Sequence, residues 1–335
     1  MTSPFGPAAT TAMGSLPGED LREWTKVLLE AVTIPFLPEL PARPYGDMVS
    51  RAVALLTDLA LDLQPAGWRL TGGTDPRASM DQRRARSVLL EDLDVLEEFA
   101  DGYIGPLKIQ TVGPWTLAAT VELPRGDKVL ADHGARRDLA DALAHGLQEH
   151  VAEVRRRVPG ADLVVQLDEP GLPAVLAGAV PTASGWSKHR SVDGPGAVEL
   201  LSRVLEAAAP AITLVHCCAA RPPIEVFTKA GAGGVAVDVS LLTEAAWEQI
   251  GLAVEAGTLL YAGVVPTTGP LPNPEQAADP LVRRWRELGL DPELLKDVVI
   301  TPACGLAGSP SVADARSRLE LLRRTAEAVA EKADE

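Results

Sequence analysis

Three short pieces of this chain combine residue types that bind metals: Leu214-Val215-His216-Cys217-Cys218, Val235-Ala236-Val237-Asp238 and Val298-Val299-Ile300-Thr301-Pro302-Ala303-Cys304-Gly305-Leu306. Each closes an apolar run that reads as a buried strand. Together they hold all three cysteines of the sequence, a histidine and a carboxylate. Residues two apart on a strand share a face, so His216 and Cys218 point to one side and Cys217 to the other. Adding Cys304 and Asp238 gives one nitrogen, two sulfurs and one oxygen, a donor set suited to Zn²⁺. These residues converge from separate strands, as in catalytic zinc sites, and not from one CxxC knuckle. A lone histidine is otherwise a satisfied core or surface residue, and a buried cysteine a small hydrophobe. Spacing alone leaves those readings open.

The elements that must position these residues alternate between β-like and helix-like, the pattern of βα units on a parallel sheet. An apolar entry reaches Met13-Gly14-Ser15-Leu16-Pro17. Helical spacing of Leu21, Trp24, Val27, Leu28 and Val32 predicts a helix starting near Glu19 or Asp20. A second helix starts near Asp47, and a polar one covers 80–101. Leu107–Val112 reads as a strand before Gly113-Pro114, and 127–157 as a long helix. Leu163–Leu167 is a strand ending in Asp168-Glu169-Pro170. Helices at 194–209, 222–231, 243–256 and 274–288 then lead to strands at 211–216, 234–239, 258–265 and 297–301, and a helix near 310–331 closes the chain. Ser15, Asp168, His216, Cys218, Asp238 and Cys304 all fall at or just past strand C-termini, which form the active-site rim of a (β/α)8 barrel. The expectation is α/β, a single (β/α)8 TIM barrel over 1–335 with 1–11 as a flexible N-terminal tail. Two long loops, 180–197 and 265–275, would lie over that rim.

Composition narrows the function. At 335 residues and 46% hydrophobic content a substantial core is available. Lys plus Arg total 31 against 46 Asp plus Glu, a net charge of -15, which disfavours nucleic acid as a partner. No run of roughly eighteen apolar residues suggests a membrane span, and the N-terminus lacks the basic start and apolar core of a signal peptide. The cytoplasm is the default expectation. Three cysteines make no disulfide framework.

The chain resembles the catalytic C-terminal barrel of cobalamin-independent methionine synthase, in the wider superfamily that includes uroporphyrinogen decarboxylase. The resemblance spans about 12–330 and rests on Gly14-Ser15-Leu16-Pro17, Asp47-Met48-Val49, Gly113-Pro114-Trp115-Thr116, Gln166-Leu167-Asp168-Glu169-Pro170, His216-Cys217-Cys218, Val235-Ala236-Val237-Asp238 and Pro302-Ala303-Cys304-Gly305-Leu306. The His-x-Cys pair with the late Cys-Gly-Leu is its specific part. It implies zinc ligation by His216, Cys218, Asp238 and Cys304, with Asp238 standing where the family has Glu. It implies homocysteine as the thiol, methyl transfer to it, and methionine as product. Asp168 and Glu169 would then face the amino-acid ammonium, and Ser15 the carboxylate.

Three departures from the family bear on the methyl donor. The resemblance leaves no part of this sequence to match the family's N-terminal half, which helps bind a polyglutamylated folate, and the expectation is a core enzyme without it. The acid of the family's segment before Asp-Met-Val finds no counterpart in Leu40-Pro41-Ala42-Arg43-Pro44-Tyr45-Gly46. The loop after the seventh strand, Val264-Val265-Pro266-Thr267-Thr268, carries no histidine, and only Trp115 is placed to substitute for the family's pterin-packing tryptophan. These losses fall on folate recognition, and the expectation is a core methyltransferase served by methylcobalamin or a methyl-corrinoid protein. Competing readings are alkylation of another small thiol, such as coenzyme M, a uroporphyrinogen-decarboxylase-like enzyme, and a non-catalytic zinc-binding barrel.

Overall fold

In a computed structural model, the structure describes residues 3–71 and 79–333. Helices α1 (Leu21–Ala31) and α2 (Met48–Leu55) precede a hairpin of β1 (Leu61–Gln64) and β2 (Gly67–Leu70), then α3 (Met80–Phe99). From β3 (Gly105–Val112) onward the βα alternation is regular: α4 (Pro114–Thr120), α5 (His133–Arg157), β4 (Ala161–Asp168), α6 (Leu172–Leu176), α7 (Gly194–Ala207) and β5 (Ile212–Cys217). There follow α8 (Ile224–Lys229), β6 (Gly234–Asp238), α9 (Glu244–Glu255), β7 (Leu259–Val265), α10 (Pro274–Glu287), β8 (Val299–Pro302) and α11 (Val312–Glu331). Asp20, Asp47, Ser79, Asp132, Asp193, Thr243, Asn273 and Ser311 each cap the helix that follows with a side-chain oxygen.

Strands β3 to β8 form one parallel sheet in sequence order. Two short segments close it into a barrel. Thr10 pairs in parallel with Ile300 of β8, Phe36 pairs in parallel with Lys108 of β3, and the Ile34 amide donates to the Thr10 carbonyl. The fold is therefore the expected TIM barrel, with two of its eight staves reduced to single bridges. Of the expected tail, residues 1 and 2 lie outside the described residues. Residues 3–11 belong to the body instead: Ala9, Thr10 and Thr11 are buried, and the Ser3 amide donates to Asp297.

Strand alternation divides each inner stave between two cores. Outward residues such as Val165, Val215, Val235, Leu260 and Ile300 join the large cluster under the helices. Inward residues Ala9, Met13, Ile34, Val164, Leu214, Ala236, Tyr261 and Val299 form a smaller plug inside the barrel. Further along the same inward faces the side chains become polar: Lys108 and Gln110 on β3, Gln166 and Asp168 on β4, His216 on β5. No described helix is long and apolar enough to cross a membrane.

Candidate metal centre

The register of β4 and β5 places Asp168 directly opposite His216, both facing into the barrel. At that separation the two side chains meet: Asp168 Oδ1 accepts from His216 Nδ1 at 2.6 Å and from Gln166 Nε2 at 2.8 Å. With the Nδ1 proton committed to a carboxylate, the ring presents Nε2, which is buried and makes no hydrogen bond. Burial lowers the His216 pKa, but Asp168 and the Cys304 sulfur outweigh it and raise it to about 9.

Cys218 and Cys304 complete the group. Their sulfurs lie 2.9 Å apart, too far for a disulfide and close for two thiols. The ligand atoms of His216, Cys218 and Cys304 all lie within 4.8 Å of one another. The two sulfurs compete for protons: the Cys218 pKa is raised, while hydrogen bonding with Cys218 and the charge of the neighbouring His216 ring pull the Cys304 thiol well below its ordinary range. A tetrahedral zinc site with bonds of about 2.0–2.3 Å has edges of about 3.3–3.8 Å, so an ion among this nitrogen and two sulfurs would need the sulfurs, 2.9 Å apart, to separate by about 1 Å. An orphaned buried nitrogen aimed at two sulfurs is what a soft or borderline cation satisfies. Cys217 is fully buried among the outward-facing apolar residues of β5, and burial pushes its thiol up to about 12. It faces away from the group.

The other site residues named from the sequence divide. Asp238 ends β6 and caps the turn after it, Oδ1 accepting from the Ser240 amide at 2.9 Å and hydroxyl at 2.6 Å. It stands outside the group of three converging ligands. Ser15 sits against the Cys304 loop: a Cβ on Gly305 would lie 2.0 Å from Ser15 Oγ, so any larger residue there would force the Ser15 hydroxyl to turn away. The Ser15 carbonyl also accepts from the Leu306 amide. Glu169, next to Asp168 but on the opposite face, has both oxygens engaged at the start of α4. Oε1 accepts from the Trp115 amide at 2.9 Å, and Oε2 from the Thr116 amide at 2.8 Å and hydroxyl at 2.7 Å. Burial raises its pKa to about 7 against those donors.

Two residues absent from the sequence reading line the same interior. Glu39 is buried, pairs with Ser15 in a parallel bridge and has an Oε1 with no hydrogen bond. Burial raises its pKa to about 7, with Arg51 opposing and Asp168 reinforcing. A buried acid thus stands just before the stretch 40–46. Lys108 is fully buried, its Nζ 2.9 Å from Gln166 Oε1 and 4.9 Å from the Phe36 ring centroid. Burial lowers its pKa to about 8, with Asp168 and Glu39 opposing. Its signal in the sequence was a charge inside an apolar strand at the inward parity of Gln110. The loop after β7 is pinned, since buried Arg318 of α11 donates to the carbonyls of Pro266 and Gly269.

No family model and no curated protein sequence matches this chain. Among solved structures, a B12-independent methionine synthase from Shewanella sp. W3-18-1, in complex with selenomethionine, is similar over 97% of this chain and 98% of that one, with a TM-score of 0.64 and 17% identity. A psychrophilic glycoside hydrolase family 10 endo-beta-1,4-xylanase covers 70% of this chain and 81% of its own, at TM-score 0.32 and 14% identity. The carboxyl transferase domain of Rhizobium etli pyruvate carboxylase, with 3-bromopyruvate, covers 69% and 43%, at TM-score 0.27 and 18% identity. The first likeness establishes a methionine-synthase-like TIM-barrel fold; the other two carry no argument.

Proposed function

We propose that this protein transfers a methyl group to the thiol of homocysteine, with Zn²⁺ held by His216, Cys218 and Cys304. The observation that carries the reading is the bare Nε2 of His216 converging on two sulfurs at the strand C-termini of the barrel. Zinc there would supply the Lewis acidity that keeps a substrate thiol deprotonated at neutral pH. The three-residue set leaves a position for that sulfur, and Asp238, whose Oδ1 is held by the Ser240 amide and hydroxyl, would have to reach the ion with its other oxygen to serve as a fourth ligand. Asp168 fixes the His216 ring. Glu39, with an unbonded carboxylate oxygen beside Ser15, suits the substrate ammonium, and Ser15 suits its carboxylate. The fold neighbour was solved with selenomethionine, an analogue of the product proposed here.

In the reaction the thiolate sulfur forms a bond to the methyl carbon, and the donor leaves with the electron pair of the bond that breaks. The segment 266–273 offers no histidine to protonate a tetrahydropterin. We therefore propose a donor whose leaving group needs no proton, a methyl-corrinoid.

Zinc-edge X-ray absorption of the loaded protein tests the thiol step: adding homocysteine should bring one new sulfur into the shell. An unchanged shell would sink the reading. Turnover with methylcobalamin and not with methyltetrahydrofolate is the expected donor result, and the reverse overturns that part alone.

A further inference from the structure

Away from the converging sulfurs, a cavity of about 630 Å³ opens between the first turns of α5 and α7 and the chain leading into α7. Its wall is cationic: Arg136, Arg137, Lys188 and Arg190 line it, with His133 and His189. In a chain of net charge -15 such a cluster stands against the field of the whole molecule. The two carboxylates on the wall are already engaged. Asp193 caps α7 through the Gly196 amide at 2.9 Å, and Glu199 lies 3.5 Å from Arg203 and 3.8 Å from Arg137.

The remaining cations are not matched. Arg136, Lys188 and Arg190 make no ion pair among the described residues; Arg136 lies over the Trp115 ring, 5.9 Å from its centroid. His189 is 8% exposed, and its Nε2 forms no hydrogen bond although Asp127 Oδ1 is 3.2 Å away. Three cations without a carboxylate partner around one cavity describe a receptor for negative charge. The volume suits a small molecule and is too large for a single ion. Strands β3 and β4 precede α5 and α7, so the cavity opens at the same end of the barrel as Asp168 and His216.

We propose that this cavity binds a small polyanion, a molecule with two or more phosphate or carboxylate groups, gripped by Arg136, Lys188 and Arg190. The inference is independent of the metal centre. Phosphates and carboxylates present the same paired oxygens to guanidinium groups, so the test carries one arm for each.

The test is isothermal titration of the metal-free full chain with pyrophosphate in one arm and tricarballylate in the other. The expected result is saturable one-site binding in at least one arm, weakening at least tenfold between about 50 and about 300 mM salt. The arm that binds more tightly identifies the ligand class. The double variant Lys188→Ala/Arg190→Ala removes two exposed side chains and should weaken binding at least tenfold with an unchanged melting temperature. Arg136→Ala should do the same, while His216→Ala should leave polyanion binding as it was. No saturable binding in either arm, or equal binding by the double variant, overturns the proposal.

Discussion

Two buried polar clusters lie within this barrel, and they are built to opposite rules. Around Asp92 of α3, Arg51 donates to one carboxylate oxygen at 2.6 Å and Arg43 to the other at 2.7 Å, and Arg51 also reaches the Pro38 carbonyl. Both oxygens of Asp92 have a partner, so nothing further is called for. Around His216 the polar atoms converge without closing: Nδ1 is bonded, Nε2 is bare, and two sulfurs share the remaining space. Glu39 stands between the two, 4.0 Å from Arg51 and with one oxygen unbonded. A buried cluster that is complete holds elements together; one left incomplete, at the C-terminal ends of barrel strands, is a binding site.

The sharpest way to break this contrast is to remove a sulfur. The wild-type chain should bind one Zn²⁺, and Cys218→Ser or Cys304→Ser should weaken it by more than about 10³-fold, about 4 kcal/mol. Competition with a chromophoric chelator measures this. A zinc-dependent rise in melting temperature, present in the wild type and lost in both variants, gives a second readout. Equal affinity in the variants would remove the metal centre from the argument.

The opposite outcome is expected at the complete cluster. Asp92→Ala leaves two guanidinium groups facing an apolar gap and should cost about 3–4 kcal/mol of stability, read from urea denaturation. Zinc affinity of the folded fraction should stay as it was. A large loss of zinc affinity there would show that the two clusters act as one.

The regular half of the barrel was legible because its strands and helices repeat strongly: every strand from β3 to β8 and each long helix has its counterpart in the periodicity. The parity of His216, Cys217 and Cys218 also followed from the strand period alone. What escaped were features with little local pattern. The first two staves are single bridges at Thr10 and Phe36, too short to alternate, and the β1–β2 hairpin has only four residues a side. Glu39 lies between Pro38 and Leu40-Pro41 with no periodic context. The partners of Asp92 lie 41 and 49 residues away, a pairing that only the fold creates. Asp168 and Glu169, which the resemblance assigns together to the amino-acid ammonium, are adjacent on a strand and so lie on opposite faces, with different neighbours.

Acid should distinguish the clusters as well. His150 of α5 is buried, and burial together with Arg51 lowers its pKa to about 4. The unfolded chain takes up that proton near pH 6.5 while the folded one resists it. The His150 contribution is therefore complete above about pH 6.5 and is lost as pH falls toward 4, the whole loss amounting to about 3 kcal/mol. His150→Gln should flatten that part of the stability–pH curve in metal-free protein. An unchanged slope would mean that other groups govern acid unfolding.

The smallest change separates ligand from support. Asp168→Asn keeps the volume and one oxygen but removes the charge that holds the His216 Nδ1 proton, and its amide can turn an N–H toward that nitrogen. Loss of such a support costs about 10–100-fold in metal affinity, about 2 kcal/mol, so zinc should still bind, more weakly. A role confined to packing would leave His216 untouched. The present geometry requires more: burial lowers the His216 pKa and Asp168 raises it, so without the carboxylate the metal-free value must fall from about 9. Nitrogen-15 shifts of the His216 ring across pH 5–10 measure this directly. Lys108 donates to Gln166, which in turn donates to Asp168. Lys108→Met removes a cation from the same interior and should move that titration the other way, upward and by less; a downward shift would mean that Lys108 acts by keeping Asp168 charged.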